Sequence, residues 1–167
     1  GDAASRAVLL ALMALKGEMG YPSVITAKTF GFQDALLKGE SLKRPRPYGD
    51  FVMGHLIAFK FVPAGMQGQS AAECAYRLHP LVKDRLDDID SIVIRSHERM
   101  MKIMDKRGPL TNPADRDHCV QYLVALGLIH GRIGTADFED DVAADRRIDA
   151  LRDRMTVIED PGYTRDF

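Results

Sequence analysis

The stretch Gly108–Gly131, GPLTNPADRDHCVQYLVALGLIHG, joins a polar half to an almost wholly apolar half. Asn112 is a residue type that commonly caps helix starts, and Pro113 suits the first helical position. Acidic residues follow in what would be the first turn, where they complement the helix dipole. We therefore predict one helix from Asn112 to about Leu128, with a cluster of polar side chains at its start and an apolar remainder that packs in a core.

The polar start of this helix is a candidate binding site. His118 and Tyr122 are four residues apart and should share a helix face, with Arg116 and Gln121 beside it. A helix N-terminus attracts carboxylate or phosphate, and Arg116 and His118 add positive charge. The pattern predicts an anionic ligand, with Tyr122 donating a proton or a hydrogen bond. The same residues also allow a structural interpretation, in which Tyr122 is a core aromatic residue.

Around this helix the pattern alternates between short strands and helices. Strands are predicted at 55–64 (HLIAFKFVPA, ending at Pro63), at the segment that contains Ile92 and Ile94, and at 155–160 (MTVIED). Besides the helix from Asn112, a helix is predicted at 68–78 and an amphipathic one carries Ile148 and Leu151. This order predicts the α+β class, with a small sheet covered by helices. The helix at 68–78 should place four residues on one side: Ala71, Cys74, Ala75 and Leu78.

The N-terminal part has a different pattern. Residues 3–16 have apolar residues at helical spacing, and a short helix is predicted near Gln33–Leu37. The proline-rich stretch 41–50, SLKRPRPYGD, is the predicted domain boundary. Its basic residues, counted from Lys38 to Arg46, are interpreted as a solvated linker, with an anion site as the alternative. The helix begins almost at the first residue, which predicts a trimmed chain or an interior fragment of a longer one.

Lys60 lies between two phenylalanines in the segment FKFVP. If its side chain faces inward, partial loss of water lowers the pKa of a lysine and prepares it for proton transfer or carboxylate binding. If it faces outward, it is an ordinary edge-strand lysine. Period two alone leaves both possibilities open.

Composition excludes several classes of function. The net charge is −1, from 23 basic and 24 acidic residues, and there is no Trp. We therefore expect no nucleic-acid partner and no attraction to anionic membranes. The chain contains no apolar run of about 18–20 residues, so no membrane span is expected. Cys74 and Cys119 are far apart in sequence and favour a reducing compartment, the cytoplasm or an organelle matrix.

A metal centre is not expected either. His118 and Cys119 are adjacent and would point in different directions on a helix, and the chain has no CxxC or HExxH spacing. The remaining histidines are isolated in sequence and more typical of satisfied or exposed side chains: His55, His79, His97 and His130.

Taken together, six stretches resemble the MmgE/PrpD family: GDAASRAVLLALMALKGEMGYPSVITA, FGFQDALLKGE, RPYG, IVIRSHE, the run from Lys106 to Met155 and EDPGYTRDF. They cover nearly the whole chain in the family's order. The resemblance implies that residues 1–48 are the last helices of an all-helical domain. It implies that residues 49–167 are most of an α+β lid domain, with the final strand missing. It also implies a homodimer.

The family resemblance implies cofactor-free proton abstraction next to a carboxylate. In the branch that this chain resembles, the reaction removes water from the tricarboxylate 2-methylcitrate in propionate catabolism. The resemblance implies Tyr122 and Lys60 as catalytic residues, and it places His118 one turn before Tyr122. Together with the helix-start pattern, this predicts His118, Arg116 and Gln121 as substrate-binding residues. Relatives place a histidine shortly after the Pro-Ala pair, where this chain has residues 65–67, GMQ. The alternatives are cis-aconitate decarboxylation, epimerisation of amino-diacids and a non-catalytic interaction domain.

Overall fold

A computed structural model of the chain describes residues 1–43, 46, 47, 49 and 58–167. The chain divides into two compact units, Gly1–Leu56 and Ile57–Phe167. Much of the predicted linker, together with His55, lies outside the described residues. The placement of the domain boundary after residue 48 therefore stays a prediction. In the described part of the chain, every helix is too short or too polar to cross a membrane.

The first unit contains the two predicted helices, α1 (Asp2–Leu15) and α2 (Phe32–Leu37). Gly1 precedes α1 as its cap, and Asp2 lies inside the first turn, where it accepts a 2.8 Å hydrogen bond from Arg6. No side chain of α1 is buried. Among the described residues of this unit, Gly31 alone is buried. The apolar spacing therefore predicted the helix correctly, although the described residues of this unit provide no core for α1 to pack against.

The second unit is the α+β unit that the sequence predicts. Its elements are, in chain order, α3 (Gln69–Val82), β1 (Ile92–Ser96), α4 (Glu98–Met104), α5 (Pro113–Arg116), α6 (Val120–His130), α7 (Asp140–Ala143), α8 (Arg146–Arg152), β2 (Met155–Glu159) and α9 (Pro161–Asp166). Short 3-10 turns lie at Met66–Gly68, Leu86–Asp88 and Thr135–Phe138.

In the part of the chain that the structure describes, the sheet consists of β1 and β2, which pair in parallel from Ile92 opposite Met155 to Ser96 opposite Glu159. Both strands were predicted. The strand predicted at 55–64 is wrong for its described part, since residues 58–64 form no strand. The physical reason is the side chain of Gln69, whose Oε1 accepts the backbone N–H groups of Phe61 and Val62 at 2.8 and 3.0 Å. These groups are therefore not available for a ladder.

Helix α6 is the centre of the core, and its residues from Val120 to Ile129 are all buried. It packs between α3 and α8. Gly127 allows the close approach of α3, because a Cβ at this position would lie 2.6 Å from the Cβ of Ala75. Met100 and Met104 are completely buried and fill space in this core.

Helix α3 faces two different environments. Ala72 and Ala75 are buried, whereas Cys74 and Leu78 are exposed. The four residues predicted to share one side of this helix do so, but they line an open apolar groove of about 700 Å³. Residues of β1 form the opposite wall, and Val124 and Leu128 of α6 also line it.

Candidate functional site

The polar groups at the start of the predicted helix form hydrogen bonds with neighbouring groups of the protein. Asn112 caps α5 as predicted, since its Oδ1 accepts the Asp115 N–H at 2.9 Å. The Asp115 carboxylate accepts hydrogen bonds from Lys106 at 3.1 Å and from Thr111 at 3.3 Å. The hydrogen bond from Lys106 is the main cause that lowers the pKa of Asp115. This carboxylate stays charged and is already neutralised by a neighbour.

The prediction of one continuous helix from Asn112 to about Leu128 is wrong. Helix α5 ends at Arg116, the residues 117–119 form a turn, and α6 begins at Val120. The carbonyl of Asp117 accepts the N–H of Gly65 at 2.8 Å instead of continuing a helical ladder, and Cys119 is extended at φ −118°. As a result, His118 and Tyr122 do not share a helix face.

Arg116 and Tyr122 point inward, onto the segment that follows α6. Arg116 is 5% exposed, donates to the carbonyl of Phe138 at 2.7 Å and pairs with Asp140 at 2.7 Å. The Tyr122 hydroxyl donates to the carbonyl of Asp137 at 2.8 Å. Burial raises the pKa of Tyr122 to about 12. The phenol therefore stays protonated near neutral pH, and its proton is held by a backbone oxygen.

Gln121 is also buried, with 1% of its surface exposed. Its side-chain amide donates a short hydrogen bond to Asp105, and its oxygen accepts from the Cys119 thiol at 3.4 Å. Gln121 lines a polar pocket of about 360 Å³ together with Lys106, Arg107 and Arg152. These three cations already pair with Asp115, Asp105 and Asp149, so the pocket presents no excess of positive charge.

His118 is one of two predicted site residues whose side chains reach solvent. Its side chain is 47% exposed, and its Nδ1 lies 2.5 Å from Oδ1 of Asp117. The Gly65 N–H bonds to the backbone of the same Asp117, so the loop before α3 lies against this pair. Sequence reasoning missed Asp117 as a partner, although the adjacent letters D and H in RDHC are the signal for it.

Lys60 precedes a segment that is anchored near His118. The side chain of Gln69 bonds the backbone from Phe61 to Gly65. Lys60 itself is exposed, and so are the flanking phenylalanines, at 88% and 89%. Of the two orientations considered for Lys60, the structure has the outward one, in a loop instead of an edge strand.

The five predicted residues therefore form two groups. Arg116, Gln121 and Tyr122 have internal partners, whereas the side chains of His118 and Lys60 are exposed. Whether any of them takes part in catalysis or substrate binding stays a prediction. Among the described residues, no group of three or more His, Cys, Asp and Glu side chains is arranged to hold a metal ion.

A helical layer over a short parallel sheet defines the second unit as an α+β domain. Residues 62–167 match the family described as MmgE/PrpD C-terminal domain. The chain belongs to this family, as the sequence resemblance indicated.

The whole chain is similar to several proteins named 2-methylcitrate dehydratase. Over 170 residues it is 55% identical to 2-methylcitrate dehydratase of Cupriavidus necator and 51% identical to that of Escherichia coli strain K12. It is 50% identical over 170 residues to the 2-methylcitrate dehydratase, mitochondrial, of Yarrowia lipolytica. The matches cover 100% of this chain but 33–35% of each relative. The chain thus spans about a third of the length of these curated relatives.

Proposed function

We propose that this chain is part of a hydro-lyase that removes water from 2-methylcitrate to give 2-methyl-cis-aconitate in propionate catabolism, within the methylcitrate cycle. The observation that carries the proposal is the identity of 50–55% along the whole chain to proteins named 2-methylcitrate dehydratase. The geometry agrees with this chemistry, because an exposed imidazole and an exposed ammonium group are suited to a polycarboxylate that must lose a proton.

Within this function, Lys60 and His118 are the residues of this chain that we propose to meet the substrate. Both side chains are exposed, and both adjoin the loop that Gln69 anchors. Arg116 and Gln121 would have to leave internal partners to bind a substrate, and Tyr122 would have to release the carbonyl of Asp137. Their proposed role is therefore to hold the scaffold around His118.

The assay that tests the function uses the natural gene product that contains these residues. It is offered 2-methylcitrate, cis-aconitate and iminodisuccinate in separate reactions. We expect water loss from 2-methylcitrate to be the fastest reaction, with the isolated 167 residues inactive. Faster turnover of cis-aconitate or iminodisuccinate would assign a decarboxylase or an epimerase of the same family. No turnover of any of the three would favour the non-catalytic interaction domain.

We also propose the two-part organisation, with residues 1–48 as helices of an all-helical domain and 49–167 as its lid. The unburied apolar side chains of α1 support the first part, because a helix with this pattern normally packs against other helices. They include Leu9 and Leu12, at 58% and 53% exposure.

The lid is proposed to gain a final strand at the edge of β1 that has no partner strand among the described residues. Ile92 N donates to Arg154 and Ser96 O accepts from Asp160, so even-numbered residues of β1 bond towards β2. The backbone groups of the alternate residues Val93 and Arg95 then face the apolar groove. An extended apolar segment from outside the matched stretch fits there, since about two thirds of the relatives' length lies outside that stretch.

The rate of chemical modification of the Cys74 thiol, which lies on the groove wall, tests whether this strand is present. We expect a maleimide to modify Cys74 quickly in the 167-residue chain and at least about tenfold more slowly in the natural gene product, with buried Cys119 as the unreactive control. Equal rates in both proteins would contradict the proposal. Protection that depends on the concentration of the 167-residue chain would instead identify a second copy as the occupant.

The location and assembly state are proposed as a cytoplasmic homodimer. Both cysteines are free thiols, which suits a reducing compartment. An organelle matrix is the alternative, since one similar protein carries the word mitochondrial in its name. Cell fractionation and sedimentation of the natural gene product test the two parts of this proposal.

A further inference from the structure

The side chains of Asp117 and His118 fix the protonation pattern of one imidazole ring. Nδ1 of His118 lies 2.5 Å from Oδ1 of Asp117. An ionised carboxylate only accepts hydrogen bonds, so Nδ1 carries the proton and donates it. In the neutral ring, Nε2 then holds a free electron pair, which makes it the basic atom. This side chain is 47% exposed, so the ring is not enclosed in the core.

Two other histidines of the described chain use their rings for internal contacts. Nδ1 of His79 lies 2.9 Å from the carbonyl of Leu128, which joins α3 to α6. Nδ1 of His97 accepts the Met100 N–H at the start of α4, and its ring stacks on Phe167 at 3.9 Å. In contrast, the contact that fixes His118 is with a carboxylate, the partner that favours proton transfer at the opposite nitrogen.

The loop beside His118 leaves space next to this nitrogen. A Cβ at Gly65 would lie 3.4 Å from Cδ2 of His118, the ring carbon bonded to Nε2, and 2.9 Å from Cε of Met104. The absence of a side chain at position 65 therefore keeps the Nε2 side of the ring uncrowded. The bond from Gly65 N to the Asp117 carbonyl fixes the backbone of the pair.

We infer that Asp117 and His118 form a proton-transfer pair, with Nε2 of His118 as the base and Asp117 as a positioning residue. The inference rests on the proposed function and changes the role of His118 from binding substrate to accepting its proton. Residues 65–67 lack the histidine that relatives place after the Pro-Ala pair, and His118 supplies an imidazole beside this loop.

The proposed step balances without a further reactant. Nε2 takes the proton from the methyl-bearing carbon, which lies next to a carboxylate, and the C–H electron pair becomes the new C=C bond. The C–O bond on the neighbouring carbon breaks, and the departing hydroxide takes up a proton from solvent to become water. The imidazolium, stabilised by the Asp117 carboxylate, returns its proton to solvent.

Kinetics of the natural gene product separate proton transfer from binding. His118→Gln keeps a polar side chain of similar reach but provides no base, so we expect kcat to fall by about 10²–10⁴-fold with KM nearly unchanged. A raised KM with unchanged kcat would overturn the inference and leave His118 as a binding residue. His130→Gln, in a half-buried histidine at the end of α6, is the control that should keep both constants.

The role of Asp117 is tested by a readout that does not need turnover. In the 167-residue chain, nitrogen NMR should show the His118 ring protonated at Nδ1, and Asp117→Asn should change this tautomer while the far-UV circular dichroism stays the same. In the gene product the same variant should lower kcat at least about tenfold. An unchanged tautomer and rate would overturn the inference. If the wild-type gene product does not act on 2-methylcitrate, the proposed function itself fails.

Discussion

The two units of the molecule contain helices with similar apolar residues, which are exposed in one unit and buried in the other. In Gly1–Leu56, α1 carries leucines at helical spacing and leaves them exposed, with Leu12 at 53%. In Ile57–Phe167, α6 carries the same residue types and buries them, with Leu126 at 0%. The comparison shows that a sequence pattern determines the helix, whereas its neighbours determine how much apolar surface the helix removes from water.

A matched pair of leucine substitutions should give the largest difference between the two units in the free energy of unfolding. Leu126→Ala removes completely buried methyl groups from α6 and should lower the free energy of unfolding by about 2–5 kcal/mol. Leu12→Ala, the same change on α1, should alter it by less than about 0.5 kcal/mol. Urea unfolding followed by circular dichroism measures both. Similar losses would show that α1 is packed in solution.

A pair of glycine substitutions is expected to have the next largest effect. Gly127→Ala places a methyl group 2.6 Å from the Cβ of Ala75 and should cost about 1–3 kcal/mol by forcing α3 away from α6. Gly20→Ala meets no atom within 4 Å and should be neutral or stabilise by up to about 1 kcal/mol. Midpoints of urea unfolding check both values. A neutral Gly127→Ala would mean that the two helices separate easily.

Removal of tyrosine hydroxyls should give a smaller difference in stability between the units, and it also tests whether Tyr122 is catalytic. Tyr122→Phe leaves the buried carbonyl of Asp137 without its donor and should cost about 1.5 kcal/mol, whereas Tyr21→Phe, at 85% exposure, should cost nothing measurable. Turnover of the gene product is measured in parallel. A rate loss of more than about 100-fold with native stability retained would make Tyr122 catalytic, contrary to the scaffold role proposed for it.

Substitution of two aspartates at helix starts should give the smallest difference in stability between the units, and this difference should depend on pH. Asp145 caps α8 and pairs with Arg147, whose hydrogen bond lowers the pKa of Asp145 below that of the unfolded chain. Its stabilisation is therefore complete above about pH 5 and is lost as the pH falls through the folded pKa. Asp145→Ala should cost about 1 kcal/mol at pH 7, and less below pH 4.

Asp2 in α1 provides the control for this pH dependence. Its pair with Arg6 is exposed at 78% and 76%, so Asp2→Ala should have little effect at either pH. Unfolding midpoints at pH 7 and pH 3 compare the two variants. A loss for Asp145→Ala that is equally large at both pH values would show that the carboxylate charge does not contribute.

Sequence reasoning succeeded where the signal is local and failed where distant backbone groups meet. The spacing of apolar residues predicted α1, β1 and β2, and Asn112 was correctly identified as a cap. The helix break after Arg116 depends on a hydrogen bond from Gly65, and the absence of a strand in 58–64 depends on Gln69. Neither contact can be predicted from the spacing of apolar residues in the sequence.

The candidate site shows the same limit. The residue types of Arg116, His118 and Tyr122 were recognised, but their directions follow from the turn at 117–119 and from the chain that returns at Asp137 and Phe138. A helical wheel places such side chains together on one face. Tertiary contacts instead turned Arg116 and Tyr122 inward and left His118 with its neighbour Asp117.

The parallel pairing of β1 with β2 has a consequence for how the second unit forms. The ribosome synthesises β1 well before β2, and all of the chain from His97 to Arg154 is made between them. The helices in that interval can pair with one another early, through contacts of shorter range along the chain. Strand pairing is then a late event, and a nascent chain would expose the edge of β1 to chaperones until Met155–Glu159 emerges.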